Sequence, residues 1–358
     1  MASQSDNNKK IHIEVLRILA IVFVLFHHTN TRGFMLFLHR DGLLGNVYLF
    51  MSLLCEVAVP IFFMISGALL LKKDENIKVV LWKRVFRFII ILFGITVVYH
   101  FYDVYFNNKE LGDFQTVLHA FMTQSASGAL WYLYSYIALM VMLPFLRNMV
   151  KSTTVEQYIY LMILNLILVG LLPVVSFTLS NGKYYYTNLF SVVIATSMSL
   201  FFFLMGHFFE NVLDDAFFKL KNCIWLSLAA LAVYIICSLL TRKRLDLGLG
   251  FADSTVQGFH YTLVAVPTFS IYAWAKFLFK HIRPKKAFTG TISYLGQCTF
   301  GIYLLERILR ERTLLVFDWL DRFLPSIVAC GLWVFVVFAI GVAVVSLLKL
   351  IPGIKKYI

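Results

Sequence analysis

Apolar residues run through this chain in long blocks rather than in the narrow stripes of soluble amphipathic helices. Blocks long enough to cross a hydrocarbon core of about 30 Å fall at 11–29, 47–71, 79–101, 130–149, 158–177, 187–209, 222–240, 257–279, 291–308 and 324–350. The pattern predicts an all-α fold, a polytopic membrane helix bundle of about ten transmembrane helices. It divides the chain into a polar N-terminal segment over 1–10, one membrane domain over 11–350 and a short tail over 351–358. Residues 102–129 form the longest connection on the side away from the termini, and an interfacial piece is expected there. No internal repeat is visible, which disfavours the inverted-repeat transporter folds.

Composition strengthens this reading. Hydrophobic residues make up 60% of the 358 and charged residues 14%, far from the half apolar and quarter charged of soluble domains. The first apolar block is too long for a signal-peptide core and is expected to stay as a helix. A net charge of +13 would suggest nucleic acid in a soluble chain. Here the basic residues gather in alternate loops, so the bilayer accounts for them and no nucleic-acid partner is expected. An even number of crossings puts both termini on one side. Placing them in the cytoplasm gathers Lys9, Lys10, the Lys72 to Arg87 run, Arg147, Lys151, the Lys280 to Lys286 cluster and the tail lysines there. The positive-inside rule favours that orientation, although the basic run at 241–244 opposes it. The protein is therefore expected in the cell membrane. The five cysteines are scattered with no CxxC pair, so buried inert thiols are expected and no metal site is read from them.

Charge inside the apolar blocks points to chemistry. Arg17 and His28 are eleven residues apart in the first block, which brings them within about 20° of one helix face and separates them by about 16 Å. A charged group in a membrane helix costs about 3 kcal/mol on insertion scales and needs a polar partner or a watered cavity. His28 is the side chain able to take and return a proton near neutral pH. His27 should point about 100° away and is expected to be an interfacial histidine. Glu14 can reach Arg17 across one turn. Glu56 lies deep, four residues before Pro60, and is either functional or a structural partner for Arg17 or an amide. Trp131, His260 and Glu306 lie near the outer ends of their helices, and Lys276 near an inner end. Arg84 and Arg87 are three apart where the third helix enters the membrane, with Lys83 beside them. Arginine forks bind phosphate bidentately, while a positive-inside anchor is the plainer account.

Several of these segments together resemble the acyltransferase-3 family, membrane O-acyltransferases of surface polysaccharides. The Arg, ten residues, His pattern is matched by Arg17 and His28. The second helix resembles the family's FFxxSG motif at Phe62, Phe63, Ser66 and Gly67. The third is similar to its Arg-x-x-Arg at Arg84 and Arg87, the fourth to its LWF/Y…P segment at Trp131 and Pro144. The sixth ends in FFFLMGHFF with Gly206, and the ninth reads ISYLGQCTFGIYLLE. Two positions depart from the pattern: Glu306 stands where a histidine is usual, and Ile90 where a proline often follows the arginines.

The resemblance implies acyl-coenzyme A, most commonly acetyl-coenzyme A, as cytoplasmic donor, and an extracytoplasmic polysaccharide or lipid-linked sugar as acceptor. His28 would be the general base, with Arg17 beside the donor arm and Glu306 or Glu56 orienting the imidazole. Arg84, Arg87, Lys83, Ser66 and Lys276 are placed with the donor, and Trp131, His260 and Glu56 with the acceptor. Two other readings remain for the same intramembrane charges. One is a transporter or flippase, the other a small-molecule sensor built on the same scaffold.

Overall fold

The computed structural model describes residues 2–123, 126–183, 192–248, 259, 261–282 and 284–357, with side chains from residue 11 onward. Within the described residues, each of the ten apolar blocks carries helix. Among the described residues, six helices are long and apolar enough to cross a membrane: Gly42–Leu70, Ile77–Phe106, Gly128–Ser152, Val155–Leu179, Leu220–Asp246 and Ser326–Leu348. Among the rest, Met198–Val212 is apolar but shorter. This is a polytopic membrane protein, all-α as the hydropathy blocks predict.

Helix α1 (Ala2–His27) is central. It packs against α2 (Gly42–Cys55), α3 (Ala58–Leu70), α13 (Ala265–His281), α14 (Lys286–Arg312) and α16 (Ser326–Leu348). Its end is set locally: the Thr29 hydroxyl donates to the carbonyl of Phe26 at 2.6 Å, and Asn30 takes a left-handed φ of 50° that stops helical propagation. His28 therefore lies just past the last helical residue.

The second span breaks between α2 and α3 at Glu56 and Val57. Pro60 lies four residues after Glu56, and its ring cannot coexist with a regular helical carbonyl at that position. Wider π turns interrupt other helices. One, Leu81–Val85, joins α4 (Ile77–Val80) to α5 (Phe86–Phe106). Another, Leu166–Leu171, joins α8 (Val155–Asn165) to α9 (Leu172–Leu179).

The tightest helix crossing explains two motif glycines. A Cβ added to Gly67 of α3 would lie 1.7 Å from the carbonyl oxygen of Phe203, and one added to Gly206 would lie 1.9 Å from that of Met64. Phe203 and Gly206 belong to α11 (Met198–His207). Each glycine admits the other helix's backbone. Lipid supplies no hydrophobic drive between helices, so close van der Waals contact must hold such a pair together.

The connection over 102–129, where an interfacial piece is expected, carries α6 (Phe114–Thr123), which buries no residue. Phe114, Leu118 and Met122 recur every fourth position and are exposed, giving it one apolar edge. Helix α7 (Trp131–Ser152) follows and returns across the bundle. Helix α12 (Leu220–Asp246) packs on α13. All five cysteines are buried thiols.

Candidate active site

Helix α1 presents Arg17, Val24 and His27, and the next residue His28, to a single cavity of about 800 Å³. Around it stand Phe62 and Ser66 of α3, Trp131, Tyr132 and Tyr136 of α7, and Thr299 and Tyr303 of α14. The two ends of the cavity differ. At one, Lys73 (just past α3), Arg87 (start of α5), Lys349 and Lys355 (after α16) form a basic mouth. At the other, His27, His28 and Glu56 gather where α1 ends and the second span breaks.

At the histidine end, Nδ1 of His28 lies 3.3 Å from Oε2 of Glu306. Nε of Arg310, one turn further along α14, lies 3.5 Å from the same oxygen. All three atoms are buried, and none completes a hydrogen bond of good geometry among the described residues. Buried polar atoms left in this way are uncommon and call for an explanation. The His28 ring keeps Nε2 as its second nitrogen while Nδ1 faces the carboxylate, and the residue lines the cavity. Beside it, Nε2 of His27 lies 3.5 Å from Oε1 of Glu56, and the Tyr261 hydroxyl bonds the same carboxylate. Glu56 thus serves His27 and not Arg17. Arg17 donates instead to Glu14 at 2.8 Å, the one-turn pair that the spacing allowed.

At the basic mouth the two motif arginines part company. Arg84 makes a bidentate bond to Glu75, at 2.9 Å from Nε and 2.6 Å from Nη2. Arg147 donates to the same carboxylate at 2.8 Å and to the carbonyl of Leu70 at 3.1 Å. Glu75 sits in the loop between two spans. The Arg84 bond, joined by that of Arg147 and opposed by partial desolvation, holds its carboxyl down at about 2 from an ordinary 4.5. Arg87 lines the cavity, its Nε buried and without a hydrogen-bond partner among the described residues. Regular helical spacing would turn both arginines one way. The π turn over Leu81–Val85 spans Arg84 and shifts that register.

The remaining expected site residues separate. Ser66 lines the cavity and donates to the carbonyl of Phe62 at 2.8 Å. Trp131 lines it as well. Lys83 is exposed and is not among the residues lining the cavity. Lys276 belongs to another cluster, donating to the carbonyl of Phe209 at 2.9 Å and lying 3.8 Å from Glu210. His260 lies outside the described residues. The sequence reading passed over Lys73, Lys349, Lys355 and the His27–Glu56 pair. The lysines were visible as charge in the inner loops; that they converge on one mouth was not.

Among comparisons with known proteins, the model of the acyltransferase 3 family, described as an acyltransferase domain, matches residues 11–349. No curated protein and no solved structure matches the chain.

Proposed function

Because this chain belongs to the acyltransferase 3 family over nearly its whole length, we propose that it is an O-acyltransferase. It moves an acyl group, acetyl in the first instance, from cytoplasmic acyl-coenzyme A to a hydroxyl of an extracytoplasmic glycan. The observation that carries this reading is the single cavity with a basic mouth at one end and a histidine at the other. A transfer whose donor and acceptor come from opposite faces needs such a path.

The basic mouth fits a polyanionic donor. Arg87 has a buried guanidinium nitrogen without a partner among the described residues, and Lys73, Lys349 and Lys355 lie around the same opening. The loop charges support placing that end in the cytoplasm. Arg17 lies between mouth and histidine and would stand beside the donor's arm. At the far end, His28 Nε2 accepts the proton of the acceptor hydroxyl as that oxygen attacks the thioester carbonyl. A carbon–oxygen bond forms, the carbon–sulfur bond breaks, and the sulfur leaves with the electron pair. Glu306 at Nδ1 keeps the proton on that nitrogen and so leaves Nε2 free to accept, while Arg310 lies beside Glu306 from one turn further along the helix. Trp131 offers an aromatic surface for a sugar ring.

The test is His28→Ala in membrane vesicles that contain the host's surface glycans, supplied with radiolabelled acetyl-coenzyme A. A positioned base is worth about 100- to 10,000-fold, and a loss of that size in label reaching the glycan is expected from correctly inserted protein. Transfer at the wild-type rate would remove His28 from the reaction. Solute uptake with no transfer by the wild-type chain would favour the transporter reading.

A further inference from the structure

The proposed reaction uses one histidine, yet two imidazoles face the same cavity end, each beside its own buried carboxylate. We propose that His27, held by Glu56, is the second acid–base group of the site and delivers a proton to the departing sulfur while His28 takes one from the acceptor. This rests on the acyl-transfer reading above.

The geometry is specific to this chain's ends and breaks. On a continuing helix His27 and His28 would diverge by about 100°. Helix α1 ends at His27 and the His28 amide still donates to the carbonyl of Val24 at 3.1 Å, so the two rings leave the last turn in different directions, and this end of the cavity is wide enough to be lined by both. Their centroids are 5.5 Å apart with planes at 71°. Phe34 packs on the other side of the His27 ring at 4.2 Å. The carboxylates come from different elements, Glu56 from the break before α3 and Glu306 from α14. Their side chains are 4% and 2% exposed. Two buried carboxylates in the membrane, each aimed at an imidazole, exceed what anchoring one helix end requires.

A charge count gives the pair its resting state. Among the described residues, the groups facing the two rings are Glu56 with the Tyr261 hydroxyl, Glu306 with Arg310, and the Cys55 thiol beside Glu56. Arg32 is turned away onto the Phe317 ring, and Arg307 is engaged by Asp103 and Glu311. Among these described groups, two carboxylates and one guanidinium leave a single negative charge when both imidazoles are neutral. One shared proton brings the cluster to zero, the state a low-dielectric site favours. The C-terminal end of α1 also favours positive charge at this position.

The chemistry then balances. The site begins with His27 protonated and His28 neutral. The acceptor oxygen bonds to the acyl carbon and its proton passes to His28. The carbon–sulfur bond breaks and the sulfur receives the His27 proton, leaving as a thiol. His28 is then protonated and His27 neutral, and one proton returned between adjacent rings restores the start. No external acid or base is consumed.

The pH dependence of kcat in glycan-containing vesicles with radiolabelled acetyl-coenzyme A tests this. Wild type should show a bell, its acid limb marking neutral His28 and its alkaline limb protonated His27. His27→Gln should lower kcat about 100-fold and abolish the alkaline limb while keeping the acid limb. Glu56→Gln, a milder change, should move the alkaline limb to lower pH because the imidazolium loses its counter-ion, with the acid limb in place. A His27→Gln protein that keeps both limbs, at whatever rate, overturns the proposal. If that variant fails to fold, a Glu56→Gln profile superimposable on wild type overturns it equally. Either result leaves the acyl-transfer reading standing, since that reading falls only on the fate of label with wild type and His28→Ala.

Discussion

Helix α1 carries two polar clusters built from the same materials, and they differ in completeness. Near its start, Nε2 of His12 lies 3.1 Å from Oε2 of Glu210, which also accepts from the Tyr272 hydroxyl at 3.0 Å. Lys276 closes the group, lying 3.5 Å from Asp215 and 4.1 Å from the Phe218 ring. None of these side chains lines the cavity or leaves a buried polar atom without a partner among the described residues. Past its end, Nδ1 of His28, Oε2 of Glu306 and Nε of Arg310 lie close together but complete no good hydrogen bond among the described residues, and His28 lines the cavity. A satisfied buried network rigidifies what it joins. An unsatisfied one that faces a cavity has capacity left for a reacting molecule. The first cluster pins α1 to its neighbours, and the second is where chemistry is proposed.

The strongest way to break this comparison is to neutralise one carboxylate in each cluster. Glu306→Gln removes the group that orients His28 and should lower kcat about 100-fold with little change in donor KM. Glu210→Gln breaks a satisfied buried network and should destabilise the protein by roughly 3 kcal/mol, read by thermal unfolding in detergent. Acyl transfer per folded Glu210→Gln molecule should match wild type. A specific loss of rate there would join the two clusters functionally and undo the distinction.

A smaller effect is expected at the basic mouth, where the same contrast recurs in miniature. Arg87→Ala should raise the KM for acyl-coenzyme A about tenfold, the worth of one charge-assisted hydrogen bond. Arg84→Ala should do less, because Arg84 is already spent on Glu75. Equal effects would mean that the donor displaces Glu75 and recruits both arginines.

The smallest effect concerns pH. The Glu75 carboxyl is depressed to about 2 from 4.5, so the folded state favours its ionised form. Its contribution is complete above pH 4.5 and is lost as pH falls from there through about 2. Pepsin cleavage in the loop at 71–76 should therefore accelerate across that window, and Glu75→Gln should remove the acceleration. A wild-type rate that follows only the protease's own pH profile would show that the clamp does not hold the loop.

Much of this arrangement was legible in residue spacing. The shared face of Arg17 and His28 needs only the helical repeat, and both line the cavity. The Glu14–Arg17 pair follows from a separation of one turn. The break at Glu56 follows from Pro60, whose ring disturbs the carbonyl four residues earlier. Spacing failed where a helix stopped being regular. His27 lines the cavity beside Glu56 where the second span breaks, and Arg84 leaves Arg87 because a π turn intervenes. Neither event has a simple periodic signature.

The sequence by itself determined what the bilayer demands: hydropathy blocks set the helices, the loop charges set the expected orientation, and the motif residues set the family. These depend on local composition and on a regular repeat, and both can be read along one dimension. Tertiary structure alone decided which carboxylate meets which histidine, which arginine lines the cavity, and that four basic side chains from three elements share one mouth. Those outcomes depend on how separate helices cross, as where Gly67 and Gly206 let α3 and α11 touch backbone to backbone. A crossing joins residues more than a hundred positions apart, and no local rule carries that information.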